Sequence, residues 1–274
     1  MAEHEPKKIV TITGLTRDLE ALGLRQGMTV IVHSSMKALG GWVCGGPQAV
    51  IESLQQVVGT EGTLVMPTQS GDLSEPSYWS RPPVPTEWWE TIRREMPAYD
   101  AALTTTRGVG ILPETFRKGS GVLRGEHPQL SFAAWGKHAE HVVSPHGLQD
   151  GLGDASPLGR LYELGAFVLM LGAKHDSNTS LHLSEYRASF AGKKEIMQGA
   201  PVMSGGERQW VEYFELELDS DDFEVIGEAF GREKKVVQVG QVADAASMLM
   251  PMRDLVDYGV TWIEAFRGTQ ESEG

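Results

Sequence analysis

Two apolar runs, Met28-Thr-Val-Ile-Val-His33 and Gly62-Thr-Leu-Val-Met-Pro67, bracket a glycine-rich loop and a helical segment. Neither run alternates with polar residues, as expected of strands covered on both faces. The loop, Ser34 to Gly46, contains Gly40, Gly41, Gly45 and Gly46. Pro47 then opens a helix over Gln48 to Val58, closed by Gly59. Proline suits a first helical position and glycine the residue past the end. Strand, loop, helix and strand form a βαβ unit, which implies parallel strands and a right-handed crossover. The class is therefore α/β, with a central mixed sheet flanked by helices.

The rest of the chain fits one domain over residues 1–274. Thr16 to Leu24 reads as a short helix capped by Thr16, with Leu15, Leu19 and Leu22 on one side. Gly71 to Pro97 is a proline- and tryptophan-rich loop with one short helix from Thr86. A loop of that length suits a lid or binding loop, and a satellite core cluster fits as well. Arg107 to Arg117 looks like a helix start and Ser131 to Trp135 like a short strand. Ser156 caps a helix with Pro157 at its first position. Ala166-Phe-Val-Leu-Met-Leu171 is a buried strand, followed by a helix over 179–190. About 200–240 the texture turns antiparallel: Gln209 to Leu218 alternates, Asp219 to Asp222 reads as a solvated acidic turn, and Lys234 to Gly240 resembles a strand. Asp244 to Gly259 reads as the last helix, and Gly268 to Gly274 as a disordered tail.

Bulk properties narrow the function classes. No run of about 18 apolar residues is present, so no membrane-spanning helix is expected. The first residues are polar and lack a signal-peptide core, and the single cysteine, Cys44, fits a reducing compartment; the cytoplasm is the expected location. The net charge of −13 argues against a nucleic-acid partner and favours a cationic small molecule, though acidity also serves solubility alone. Monomer and homodimer both remain open.

Four stretches carry the chemistry. In Gly172-Ala-Lys-His-Asp-Ser-Asn-Thr-Ser-Leu-His182-Leu-Ser-Glu185, two histidines and two acids gather where a central strand gives way to a helix. Ligands bind at such places in open α/β sheets. His182 and Glu185 lie three apart, on one helical face, as a general base and its orienting carboxylate would. A zinc site from His175, His182 and Glu185 is an alternative, although the H-E-x-x-H spacing is absent; a structural His182 is another. The loop after His33, with Ser34, Ser35 and Lys37, suits an anion but is neither a Walker loop nor G-x-G-x-x-G, so a glycine-rich active-site loop without phosphate stands beside it. Ser131 opens a strand where its hydroxyl can face a cleft, and it lies outside any nucleophile elbow. Asp154, just before a helix, either helps capping or turns a carboxylate toward the site.

Taken together, His33-Ser-Ser-Met-Lys-Ala-Leu-Gly40, Thr106-Arg-Gly-Val-Gly-Ile-Leu-Pro-Glu-Thr-Phe116, His127-Pro-Gln-Leu-Ser-Phe-Ala-Ala134, Ser156-Pro-Leu-Gly-Arg-Leu161 and Leu171 through Glu185 resemble one family, the aminoglycoside N3-acetyltransferases. The motifs run in the family's order. The resemblance implies an α/β fold unlike that of the GNAT acetyltransferases, acetyl-CoA as donor, and an aminoglycoside 3-amine as acceptor, with antibiotic resistance as the outcome. It places Ser34, Ser35, Met36, Lys37, Thr106, Gly108, Val109 and Gly110 along the CoA channel, and His182, Glu185 and Asp154 around the acceptor amine. No metal is implied. His182 would take a proton from the amine, Glu185 or Asp154 would orient it, and backbone N–H groups or Ser131 would hold the thioester oxyanion at the CoA end. Acetylation of another amine and a zinc-dependent amidohydrolase are the competing readings.

Overall fold

The computed structural model describes residues 8–267. The readings of the first seven residues and of the tail from Gly268 lie outside them. A two-residue strand, β1 (Ile9–Val10), leads into α1 (Ile12–Leu22). Thr11, not Thr16, caps this helix, its side chain accepting the Gly14 N–H at 3.2 Å. The apolar stripe explains the difference: Leu15, Leu19 and Leu22 are all buried, so Leu15 already belongs to the helix.

The βαβ unit forms where expected. It comprises β2 (Thr29–Ser34), the glycine loop with a 3₁₀ turn (Met36–Leu39) and β3 (Trp42–Val43), then α2 (Gly46–Val58) and β4 (Thr63–Pro67). The loop strand β3 pairs in parallel with β1, and β2 pairs in parallel with β4. The long aromatic loop holds 3₁₀ turns at Pro76–Tyr78 and Thr86–Trp88 before α3 (Trp89–Glu95). Then come α4 (Ile111–Phe116), β5 (Leu123–Arg124), β6 (Phe132–Gly136), α5 (Ala139–Val143) and α6 (Pro157–Glu163), the last capped by Ser156 as expected. β7 (Phe167–Leu171) precedes α7 (His182–Arg187), which is shorter than the helix expected over 179–190 because its first residues form a 3₁₀ turn.

The antiparallel region is a hairpin, β8 (Glu195–Ser204) and β9 (Glu207–Leu216), that stands apart from the main sheet. Its two-residue turn, Gly205-Gly206, has positive φ at both positions (60° and 87°), the geometry that matches strand twist. Gly199 and Pro201 hide β8 in the sequence; both are tolerated because the ribbon has only two strands, each an edge. After it come α8 (Phe223–Glu233), β10 (Gln238–Val242), β11 (Ala245–Pro251) and α9 (Met252–Phe266). The expected helix over Asp244–Gly259 is thus half wrong. Ala245 to Met250 has helical propensity, but pairing with β10 and β7 makes it a strand, and Pro251 marks the switch.

The main sheet has seven strands in the order β10-β11-β7-β2-β4-β6-β5. The centre, β7-β2-β4, is parallel and both flanks are antiparallel. Alternate residues feed two cores. Val30 and Val32 of β2 pack with α1 and α2, whereas Ile31 packs with residues of α6, α8 and α9. Beyond β2 the chain reaches α2 on one face; beyond β7 it reaches α7 on the other. Where neighbouring parallel strands send the chain to opposite faces, a crevice opens at their carboxyl ends.

Candidate active site

A cavity of about 420 Å³ occupies that crevice. His33 and Ser34 line it from the end of β2, Pro67 from the end of β4 and Gln69 from beyond it, and Asp176 to Thr179 and His182 from beyond β7. Gly108, Val109 and Gly110 close another side, with Phe223 and Ser220 opposite. Gly108 and Gly110 have φ of 79° and 86°, and where a Cβ would stand on either, space is open. A ligand can therefore approach this backbone closely. The Arg107 N–H donates to the Gln69 carbonyl at 2.8 Å and holds that segment to the strand end.

His182 and Glu185 meet as their spacing predicts. The Nδ1 of His182 contacts Oε2 of Glu185. The other oxygen, Oε1, accepts from the Asp219 N–H at 3.0 Å and from Arg267 Nη1 at 2.5 Å. Arg267 also donates to both carboxylate oxygens of Asp222 at 2.7 Å and to the Asp219 carbonyl at 2.8 Å. Burial works against its charge, but the hydrogen bonds to Asp222 and Glu185 hold the guanidinium above its ordinary pKa. The acidic run at 219–222 is therefore more than a solvated turn. With Glu185 accepting, the hydrogen-bond network assigns the proton of His182 to Nδ1 and leaves Nε2 as the basic nitrogen. Phe223 packs edge-on against the ring, 4.8 Å between centroids, and fixes its plane.

Two other histidines lie nearby. His33 is buried, and its Nε2 has no hydrogen-bond partner. Burial pushes its imidazole down to about 3, with His175 and His182 adding to the effect. His175 is buried away from the cavity. Its Nδ1 faces the Asn178 amide at 3.2 Å and its ring lies against Gly227 of α8. The zinc set of His175, His182 and Glu185 is not assembled. Among the described residues no group of three or more His, Cys, Asp or Glu side chains is placed to hold a metal.

The remaining expected residues divide. Ser34 reaches the cavity; Ser35, Met36 and Lys37 follow on the adjoining 3₁₀ turn, where Lys37 is exposed. Thr106 gives both its N–H and its hydroxyl to Glu114 at 2.9 Å, so it braces the glycine wall from behind. Ser131 is turned away. Its fully buried hydroxyl donates to the Thr68 carbonyl at 2.9 Å and accepts from Arg124 at 3.2 Å, so it is not free to meet a ligand. Asp154 is exposed and ion-paired with Arg187, five residues beyond His182 on α7, so of the two expected carboxylates only Glu185 meets the imidazole. Sequence reasoning passed over Arg267 and over His33 as an individual residue.

A family model described as aminoglycoside 3-N-acetyltransferase matches residues 31–264. The SPbeta prophage-derived aminoglycoside N(3')-acetyltransferase-like protein YokD of Bacillus subtilis (strain 168) is 48% identical, over 93% of this chain and 96% of its own. The crystal structure of YokD superposes with a TM-score of 0.92 at 45% identity, over 98% of this chain and 97% of that one. Aminoglycoside N(3)-acetyltransferase VII of Streptomyces paromomycinus is 37% identical, over 97% of this chain and 95% of its own. A solved structure titled "AAC-IIIb binary with CoASH" has a TM-score of 0.84 at 32% identity, over 96% of this chain and 99% of that one. With a model covering most of its length and relatives matched end to end, this chain belongs to the aminoglycoside 3-N-acetyltransferase family and is an enzyme of that family.

Proposed function

We propose that the chain transfers the acetyl group of acetyl-CoA directly to the 3-amino group of an aminoglycoside, with His182 as general base. The observation that carries this reading is the cavity-lining imidazole whose Nδ1 is committed to a buried, Arg267-braced carboxylate. An aminoglycoside ammonium must lose a proton before its nitrogen can attack a thioester. His182 Nε2 takes that proton, directly or through one water, while Glu185 holds the ring and stabilises the cation that forms. As the C–N bond forms, the C–S bond breaks and its electron pair leaves on sulfur. No covalent acetyl-enzyme is required.

The donor is expected on the side of Ser34, Ser35, Met36, Lys37, Thr106, Gly108, Val109 and Gly110. Open backbone at Gly108 and Gly110 and the exposed cation of Lys37 suit a diphosphate-bearing chain. Support also comes from the CoASH complex of the related AAC-IIIb. Asp176, exposed at the cavity rim, offers a carboxylate to the acceptor's other ammonium groups. Acetylation converts one ammonium into a neutral amide, and resistance to the drug follows from that loss of charge.

The test is thiol release from acetyl-CoA with and without aminoglycosides, with the product's acetyl position read by mass spectrometry and NMR. Release should require the acceptor, and His182→Ala should lower kcat by about 10²–10⁴. Undiminished turnover by that variant would refute the mechanism. The 48%-identical relative is named an acetyltransferase-like protein, which favours a second reading, acetylation of another amine. A panel in which only non-aminoglycoside amines react would establish it.

A further inference from the structure

The reaction proposed above needs one group that the site has not yet supplied. As the amine adds, negative charge builds on the acyl oxygen, and a donor must meet it. Ser131, the side chain expected there, is committed to Thr68 and Arg124. His33 is placed for the task. It lines the cavity with His182, at the end of the central strand β2. Its Nε2 is buried without a partner, and of the seven such side-chain atoms among the described residues it is the one whose residue lines this cavity.

The alternation of β2 adds direction. Val32 belongs to the α1–α2 side of the sheet and Ile31 to the other. Side chains two apart share a face, so Ser34 follows Val32 and His33 follows Ile31. Ser34 thus stands on the side of the glycine loop, and His33 on the side of His182. The boundary between them is where an acyl group carried from one side meets an amine held on the other. Of the two imidazoles in this cavity, His182 has a carboxylate to stabilise its cation; His33 is enclosed and is held neutral by burial. Because burial makes its cation hard to form, His33 is a poor proton acceptor, but the N–H of a neutral imidazole is a good donor to a developing oxyanion.

We propose that His33 donates a hydrogen bond from its ring N–H to the acyl oxygen of the thioester, polarising it in the bound donor and stabilising the oxyanion during transfer. This rests on the acetyl-transfer reading. No proton leaves His33: the amine's proton goes to His182, the C–N bond forms, the C–S bond breaks, and the oxyanion collapses back to a carbonyl.

The experiment uses the full-length chain with acetyl-CoA carrying a ¹³C-labelled carbonyl. In the binary complex the carbonyl stretch should move to lower frequency than in solution. His33→Ala should abolish that movement, His182→Ala should keep it, and His33→Gln, which retains an N–H donor, should keep part of it. In turnover, His33→Ala should lower kcat about 10²–10³-fold, with the calorimetric Kd for CoA changing less than about threefold, and His33→Gln should recover at least tenfold of the loss. Should His33→Ala fail to fold, the shift and rate of His33→Gln against wild type decide. An unshifted carbonyl in the wild-type complex, an equal shift in a folded His33→Ala, or a loss confined to CoA affinity would overturn the proposal. Absence of acetyl transfer by the wild type to any amine would instead overturn the reading beneath it.

Discussion

Glu185 is fully enclosed, and a carboxylate so placed needs a fixed counter-charge. Arg267, whose side chain is 10% exposed, supplies it to a Glu185 side chain that is 1% exposed. Removing one partner of such a pair leaves the other charge stranded. Arg267→Met should therefore destabilise the protein by roughly 3–5 kcal/mol in chemical denaturation and lower kcat as His182 loses its orientation. Asp154→Ala is the control. That carboxylate is 66% exposed, so its loss should cost no more than about 0.5 kcal/mol and leave kcat within a few-fold. A collapse of kcat in Asp154→Ala would return this residue to the reaction. The His182–Glu185 pair was legible because both partners sit one helical turn apart. Arg267 was not, since 82 residues separate it from Glu185 and no local pattern points across that distance. His33 was inconspicuous for another reason: its motif was visible, but an orphan nitrogen appears only once its neighbours are in place.

At the scale of elements, a buried and a half-buried histidine tie the turn before β6 to the loop before α6. His127 Nδ1 accepts from the N–H groups of Gln129 and Leu130 at 3.1 and 3.0 Å, and its Nε2–H faces the Leu148 carbonyl at 3.2 Å. The His146 ring lies 4.8 Å away, its Nε2 donating to the Gly151 carbonyl at 2.8 Å. Burial pushes His127 down to about 3 and His146 to about 4. Between those values and 6.5, the unfolded chain binds protons that the folded chain refuses. Stability therefore rises with pH across this window and is lost on acidification, by at most about 1.4 kcal/mol per pH unit for each histidine. His127→Gln should flatten the slope of unfolding free energy between pH 4 and 6 by about one histidine's share. An unchanged slope would show that His127 titrates normally. The βαβ unit was readable because strand runs, proline and glycine agreed with one another. β11 was not, because Ala245 to Met250 satisfies helix and strand alike and only its two sheet neighbours decide.

For the molecule as a whole, the excess of acidic residues, net −13, gives a field that attracts polycations and that salt screens. Under the proposed reaction, kcat/KM for an aminoglycoside should fall several-fold between about 50 and 500 mM salt, chiefly through KM, whereas a small monoamine acceptor should change little. A flat salt profile for the aminoglycoside would remove long-range attraction from the account. Composition revealed this charge, but not the strand order, which depends on pairings between segments far apart in sequence.

The split exit of the chain from β2 and β7 has one more consequence. Ser34 and the glycine loop are rooted in the layer of α1 and α2, whereas His182 and its brace are rooted in the layer of α7, α8 and α9. The sheet stands between them as a rigid partition. Under the proposed reaction, substitutions in the α7–α9 layer should retune the choice of acceptor while leaving the grip on the donor, built into the α1–α2 layer, largely unchanged.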